Sequence, residues 1–374
     1  MSLHTVRTVA VLLLLCMTLA VPFAAAEQTI KLATLIPEGS FWDRALRDMG
    51  AAWQQITDGD VRLRIYSGGV AGDDPDMIRK LRIGQLQAAT VTVSGLTEID
   101  PAFALFELPA FFASHDELLY VLRELRPELE RRLAENGFQL LHWVHGGWIY
   151  FFTSEPIASL DEFQQLRMFV WAGNDEMSNL WRKHGFRPVP LAATDILTGL
   201  ETGLFGALPS APIAALSLQW FRSAPHMIDL PLTPLLGATI VTTKAWLELP
   251  ASQRAQLLTA AGDAGAIFEN EIPGQERQAI AEMQRRGLEI LQVANGPEEE
   301  RWRSVTESFA ESMRQAFVPI EFYDLALAAR TAYRRKERSA AHSKLDLLRG
   351  SQALGDPGVR DLYGRPLGGS GSIG

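Results

Sequence analysis

An α/β fold with helices packed on the faces of a central sheet is what this chain predicts, on three observations. Strand and helix signals alternate through the first hundred residues, a second such series follows from about residue 138, and 374 residues suffice for two domains. In the first series, Thr29–Leu35 reads as a buried strand, Pro37-Glu38-Gly39-Ser40 as a turn, and Ser40 as the cap of a helix. Phe41, Ala45, Met49, Ala52, Trp53 and Ile56 then recur at helical spacing until Thr57-Asp58-Gly59-Asp60 stops them. Val61, Leu63 and Ile65 alternate with Arg62, Arg64 and Tyr66, a period-two strand. Ser67-Gly68-Gly69 is a loop, Asp74-Pro75 opens a helix running through Leu81, Gly84 ends it, and Ala88–Val93 is a third strand. In such sheets ligands lie beyond the carboxyl ends of the strands, so 36–42, 68–72 and 94–97 are expected at one rim.

The second series has a charged amphipathic helix over 116–135, then strand segments Phe138–Val144 and Trp148–Thr153 separated by Gly146-Gly147. A short helix (159–165), a strand (168–171), a helix (175–184), a strand (189–191) and a helix capped by Thr194-Asp195 follow and suggest a separate lobe. Residues 250–286 read as one long helix with a kink at Pro273, and 297–316 and 319–336 as further helices. From about Gly350 apolar density drops and glycine accumulates, so 350–374 is expected to be a disordered tail.

The first 26 residues have a leader's pattern: Arg7, an apolar run from Val9 to Ala20, and Ala24-Ala25-Ala26 before Glu27. The run is shorter than the roughly 20 residues a membrane span needs, so cleavage near Ala26 and a periplasmic location without an anchor are expected. Cys16, the single cysteine, lies in this leader behind Leu14 and Leu15, which argues against lipidation. The mature chain would then have no thiol for disulfide, zinc or catalysis. A net charge of −9 with dispersed Lys and Arg excludes a phosphate-backbone partner.

Enzyme readings find little support. No G-x-S-x-G elbow occurs, since Thr92 and Leu96 occupy its glycine positions around Ser94. Gly68-Gly69-Val70-Ala71-Gly72 lacks dinucleotide spacing and reads as a plain turn. His142 and His145 flank a strand and not a helix, which favours packing over metal binding. His115-Asp116-Glu117 and Pro297-Glu298-Glu299-Glu300 suit helix N-termini through the dipole. Glu107 interrupts an apolar run; an exposed edge is preferred for it over a buried acid. No catalytic residue, metal or cofactor is expected.

Five stretches, in order, carry a family likeness: VRLRIYSGGVAGDDPDMIRKLRIGQLQAATVTV (61–93), DPAFALFELPAFF (100–112), PIASLDEFQQLRMFVW (156–171), GFRPVPLAATDILTGLETG (185–203) and WLELPASQRAQLLTAA (246–261). Over roughly 28–292 the chain resembles the extracytoplasmic solute-binding proteins of TRAP transporters. The resemblance implies a two-lobed periplasmic-binding-protein-like fold with crossing strands and a long helix spanning both lobes. It assigns 27–150 with about 238–265 to lobe I, and 151–237 with about 266–345 to lobe II. It implies no enzymatic activity, a small-molecule ligand captured in the interlobe cleft by hinge closure, a membrane permease of two integral subunits as partner, and an ion gradient as energy source. The likeness is closer to the branch that pairs with a trimeric tetratricopeptide-repeat protein, which adds such a protein as a partner.

One departure bears on the ligand. Typical members hold a carboxylate with an Arg on the strand matching 166–171, and here Phe169 takes that place. Arg167 lies two residues earlier, on the same face but further from the cleft. The neighbouring polar positions read Trp148-Ile149-Tyr150-Phe151 and Gly206-Ala207-Leu208-Pro209-Ser210. An Arg fork supplies charged hydrogen bonds of roughly 1.5–3 kcal/mol each, which Phe cannot. A relatively hydrophobic ligand is therefore expected, with a small organic carboxylate as the alternative and an exported hydrolase as a second. Phe169, Trp171, Trp148, Ser94, Gly95, Trp42, Ser210 and Trp220 are the expected ligand contacts, and Phe221 a weaker one.

Overall fold

The computed structural model describes residues 28–353, with side chains through 341. The leader expected over 1–26 and residues 354–374 of the expected tail lie outside the described residues. Strands are β1 (Gln28–Thr34), β2 (Val61–Tyr66), β3 (Ala88–Thr92), β4 (Phe138–Thr153), β5 (Arg167–Trp171), β6 (Arg187–Leu191), β7 (Ala207–Ser210), β8 (His226–Ile228), β9 (Thr233–Thr242) and β10 (Glu289–Leu291). Helices are α1 (Phe41–Ile56), α2 (Asp74–Arg82), α3 (Val93–Thr97), α4 (His115–Glu135), α5 (Leu160–Gln165), α6 (Asp175–Lys183), α7 (Ile196–Glu201), α8 (Pro212–Ser217), α9 (Thr243–Glu248), α10 (Arg254–Arg285), α11 (Pro297–Phe317) and α12 (Ile320–Ala353), with a 3-10 segment over Pro101–Glu107.

The strands form one sheet in the order β2-β1-β3-β9-β4-β7-β5-β6, with β8 on β4 and β10 on β8. β2, β1 and β3 run parallel, and β9 joins β3 antiparallel. β4 is the connecting rod. Its stretch from Phe138 to Ile149 pairs with β9 and its last residues, Tyr150 to Thr153, pair with β7. We divide the molecule into two lobes on either side of this rod, with β4 and β9 as the crossing strands.

The expected break at Gly146-Gly147 is instead a bulge within the 16-residue β4, where the register to β9 shifts between His145 and Trp148. Glycine is required here. A Cβ on Gly146 would come 2.4 Å from Leu235 Cδ2, and Gly147 has φ +86°, a left-handed value.

The 32-residue α10, about 48 Å long at 1.5 Å per residue, lies along β4 and touches both α1 and α8. Leu257, Ala261 and Ala264 pack into the core under β1, and Met283 into the core with Phe152 and Phe205. Pro273 is accommodated within the helix. The last helix differs from the expected placement of 266–345 with lobe II. Phe322 and Ala326 of α12 join the lobe I core against α4, and Arg334 pairs with the buried Glu117. The helix also runs past Lys336 and the expected tail start at Gly350, to Ala353. Its final residues include Ala, Arg, Lys and Leu, residue types of high helix propensity.

Candidate functional site

A cavity of about 430 Å³ lies between the lobes. Thr34–Pro37 and Thr90–Val93, at the carboxyl ends of β1 and β3, form one wall. Ala193, Thr194, Ile196 and Leu197 with Pro209–Ala211 form the other, and Val144, Gly146, Ile149 and Pro234–Gly237 of the crossing strands form the floor. The lobes touch at the rim: the backbone N–H of Ala193 donates to Asp73 Oδ2 at 2.9 Å. Asp73 caps α2 with its other oxygen, accepting from the Asp74 N–H at 2.9 Å.

A smaller chamber of about 170 Å³ adjoins it, closed by Trp302, Val305, Phe309 and Met313 of α11. Both chambers share Glu107, Ile149, Trp171 and Pro209 as wall residues. Among the described residues, no Lys, Arg or His lines either chamber. The charged side chains there are Asp74 and Glu107.

The structure brings together most, but not all, of the expected contacts. Trp42, Ser210 and Trp220 line the larger chamber, Trp171 both, and Phe169 and Ser94 the smaller. Trp42 is fixed by its indole N–H donating to the His145 carbonyl at 3.0 Å. Phe169 is only 1% exposed, its ring edge-on to Trp171 at 5.1 Å and against Phe205 at 5.8 Å, so its main role is lobe II packing. Three residues lie elsewhere. Trp148 is off both walls; its ring bridges the two lobe cores and its backbone N–H donates to Glu276 Oε2 at 2.7 Å. Gly95 is inside α3, where a Cβ would come 2.8 Å from Val91 and 3.1 Å from Asp74, so close packing on α2 and not ligand approach explains it. Phe221 is core. Arg167 is exposed and donates to the Gly203 carbonyl.

Two acids were misjudged. Asp74 was read only as a helix opener, yet it is 1% exposed and faces the cleft. Burial pushes its carboxyl up to about 7; the Thr92 hydroxyl and the N–H groups of Thr92 and Gly95 pull the other way, and the Asp73 charge adds to the rise. Glu107 is not at an outer edge. It lines both chambers, and burial together with the charge of Asp74 pushes it to about 7. The acidic residue inside an apolar run was the available signal; its direction depended on how the 3-10 segment folds.

His142 and His145 lie beneath α10, where burial lowers their pKa to about 4 and about 3, so both are neutral. Among the described residues no group of three or more His, Cys, Asp or Glu could hold a metal ion. Also among them, no helix is long and apolar enough to cross a membrane.

A family model described as bacterial extracellular solute-binding protein, family 7 (DctP), matches residues 32–316. The chain belongs to this family. It is a TRAP-type periplasmic solute-binding protein, a receptor and not an enzyme. Among relatives, a solute-binding protein of Chromohalobacter salexigens is 25% identical over 249 residues, 63% of this chain and 72% of that protein. The fold is shared with the sugar-acid-binding protein of Advenella mimigardefordensis, solved with galactonate (TM-score 0.75, 18% identity, covering 82% of this chain and 99% of that one). It is also shared with an extracytoplasmic solute receptor of Bordetella pertussis that binds pyroglutamic acid (TM-score 0.74, 18% identity, 81% and 99%).

Proposed function

We propose that this family-7 receptor captures a small, relatively hydrophobic ligand between its lobes by hinge closure and delivers it to a membrane permease. The observation that carries this reading is the absence of any Lys, Arg or His from the lining of both chambers. The two structural neighbours described above were solved with the acids galactonate and pyroglutamic acid. A ligand carboxylate in this cleft would meet two acids and no cation, and would exchange its hydration for uncharged donors only. An apolar ligand burying 200 Å² against the walls gains about 5 kcal/mol at roughly 25 cal/mol per Å². Trp171, Trp42 and Trp220, with Ser210 and Ser94, are the contacts proposed, and Phe169 supports Trp171 from behind. The Asp73–Ala193 hydrogen bond across the rim is a contact of the closed form. A tetratricopeptide-repeat protein remains the further partner proposed, from the sequence likeness alone.

Calorimetric titration with galactonate, succinate and a neutral phenylalkyl alcohol, alongside native mass spectrometry of co-purified ligand, tests the reading. Binding of the alcohol and of an apolar native ligand is expected. Tight binding of galactonate or succinate with no binding of the alcohol refutes it.

A further inference from the structure

We propose that the ligand carries a protonated amine on its apolar body, and that Asp74 and Glu107 seat this group in the cleft. This deepens the reading above and rests on it. Asp74 Oδ2 accepts from the Thr92 hydroxyl and, at 3.2 Å, the Thr92 N–H. Oδ1, equally buried, has no hydrogen-bond partner among the described residues. Among the described residues none donates a hydrogen bond to Glu107; burial and the Asp74 charge act on it.

The surroundings supply no cation from any side. On α2 the adjacent group is the acid Asp73, while Arg79 turns to Asp76 and Lys80 to the Ala71 carbonyl. β3 contributes Thr92 and α3 the N–H of Gly95. The facing lobe contributes Ala193, Thr194, Pro209 and Ser210. Two acids thus line one cavity with no cationic partner among the described residues, and the donors to Asp74 are Thr92 and the N–H of Gly95. An unpaired buried carboxylate is costly. Asn at 74 would occupy the same space without a charge, so the charge is explained when the bound molecule supplies a cationic donor. An ammonium does so three times over, with charge-assisted bonds, and the aromatic walls of Trp171 and Trp42 take the apolar remainder. Glu107, common to both chambers, places the amine at their junction and leaves apolar room on either side.

The test uses one apolar body with three heads: 4-phenylbutylamine, 4-phenylbutanol and 4-phenylbutyrate, titrated at pH 8 by calorimetry and tryptophan fluorescence. The full mature protein, Asp74→Asn and Glu107→Gln are compared. In the unaltered protein the amine is expected to bind at least about tenfold tighter than the alcohol, a charge-assisted bond against a neutral one, and the acid weakest. Asp74→Asn should bring the amine down to the alcohol's affinity, and Glu107→Gln should do so in part. Should the alcohol bind as well as the amine, or the amine be indifferent to both substitutions, the amine seat is wrong while the apolar reading stands. Preference for the acid, or no binding of any of the three, overturns both.

Discussion

Replacing Asp74 by Asn should make the ligand-free receptor more stable, by an amount that depends on pH. The side chain is 1% exposed, and its carboxyl moves from 3.8 to about 7 on folding, chiefly through burial. At 1.36 kcal/mol per pKa unit that move corresponds to about 4 kcal/mol. The folded-state value is the higher one, so the native protein holds the proton more tightly than the unfolded chain. The stability this contributes is complete below pH 3.8, declines as pH rises towards 7, and is gone above it. Asn has the same shape, keeps the Thr92 N–H bonded, and does not ionise. The variant's advantage should be near zero at pH 4 and reach about 4 kcal/mol above pH 7.5. Glu107 adds to it, because losing the Asp74 charge removes one of the two causes of its own rise. His142 and His145 work in the opposite sense, their lowered values making the fold more stable as pH rises towards 6.5, but they are common to both proteins and cancel. Thermal and urea unfolding of ligand-free protein at pH 5, 6.5 and 8 measures the effect, with a rise of several degrees in Tm expected at pH 8. A variant no more stable than the parent at pH 8, or one equally stabilised at pH 5, refutes the assignment of a desolvated, unpaired carboxyl.

Trp171→Ala removes the wall shared by the two chambers and should weaken an apolar ligand about thirtyfold, from roughly 80 Å² of lost contact, read by fluorescence titration. Asp73→Ser retains a helix cap but cannot reach Ala193, so α2 should persist while ligand affinity falls about tenfold, the worth of one charged hydrogen bond. Arg334→Ala leaves the Glu117 carboxylate, itself 1% exposed, with the Ala113 N–H as its remaining hydrogen bond among the described residues. Since Arg334 is 42% exposed, solvent screens the pair, and urea unfolding should show a loss of about 1–2 kcal/mol with ligand binding unchanged.

Periodicity carried the regular elements well. The spacing of Phe41 to Ile56 and the alternation of Val61 to Ile65 report on single faces, and both became α1 and β2. β9 was missed for the converse reason: Thr233–Thr242 is buried on nearly every residue, so neither face leaves a polar signal, and Gly237 reads as a breaker. β4 was read as two pieces because glycine pairs usually end strands, whereas here they permit the bulge between lobes. At the site, Trp171 and Ser210 were found because a family pattern placed their strands. Trp148 was misplaced because a bulge one residue earlier changes which way the following side chains face.

The amino-acid order alone determined the α/β class, the family, and an apolar Phe169 in the middle of its strand, since each follows from local pattern or residue identity. Only the tertiary structure decided which aromatic rings are walls and which are core, and that Asp74 and Glu107 share a cleft lined by no cation. Those facts depend on the approach of β3, the 3-10 segment and the facing lobe. Solvation, and with it the charge a side chain can bear, is set by neighbours distant in the chain.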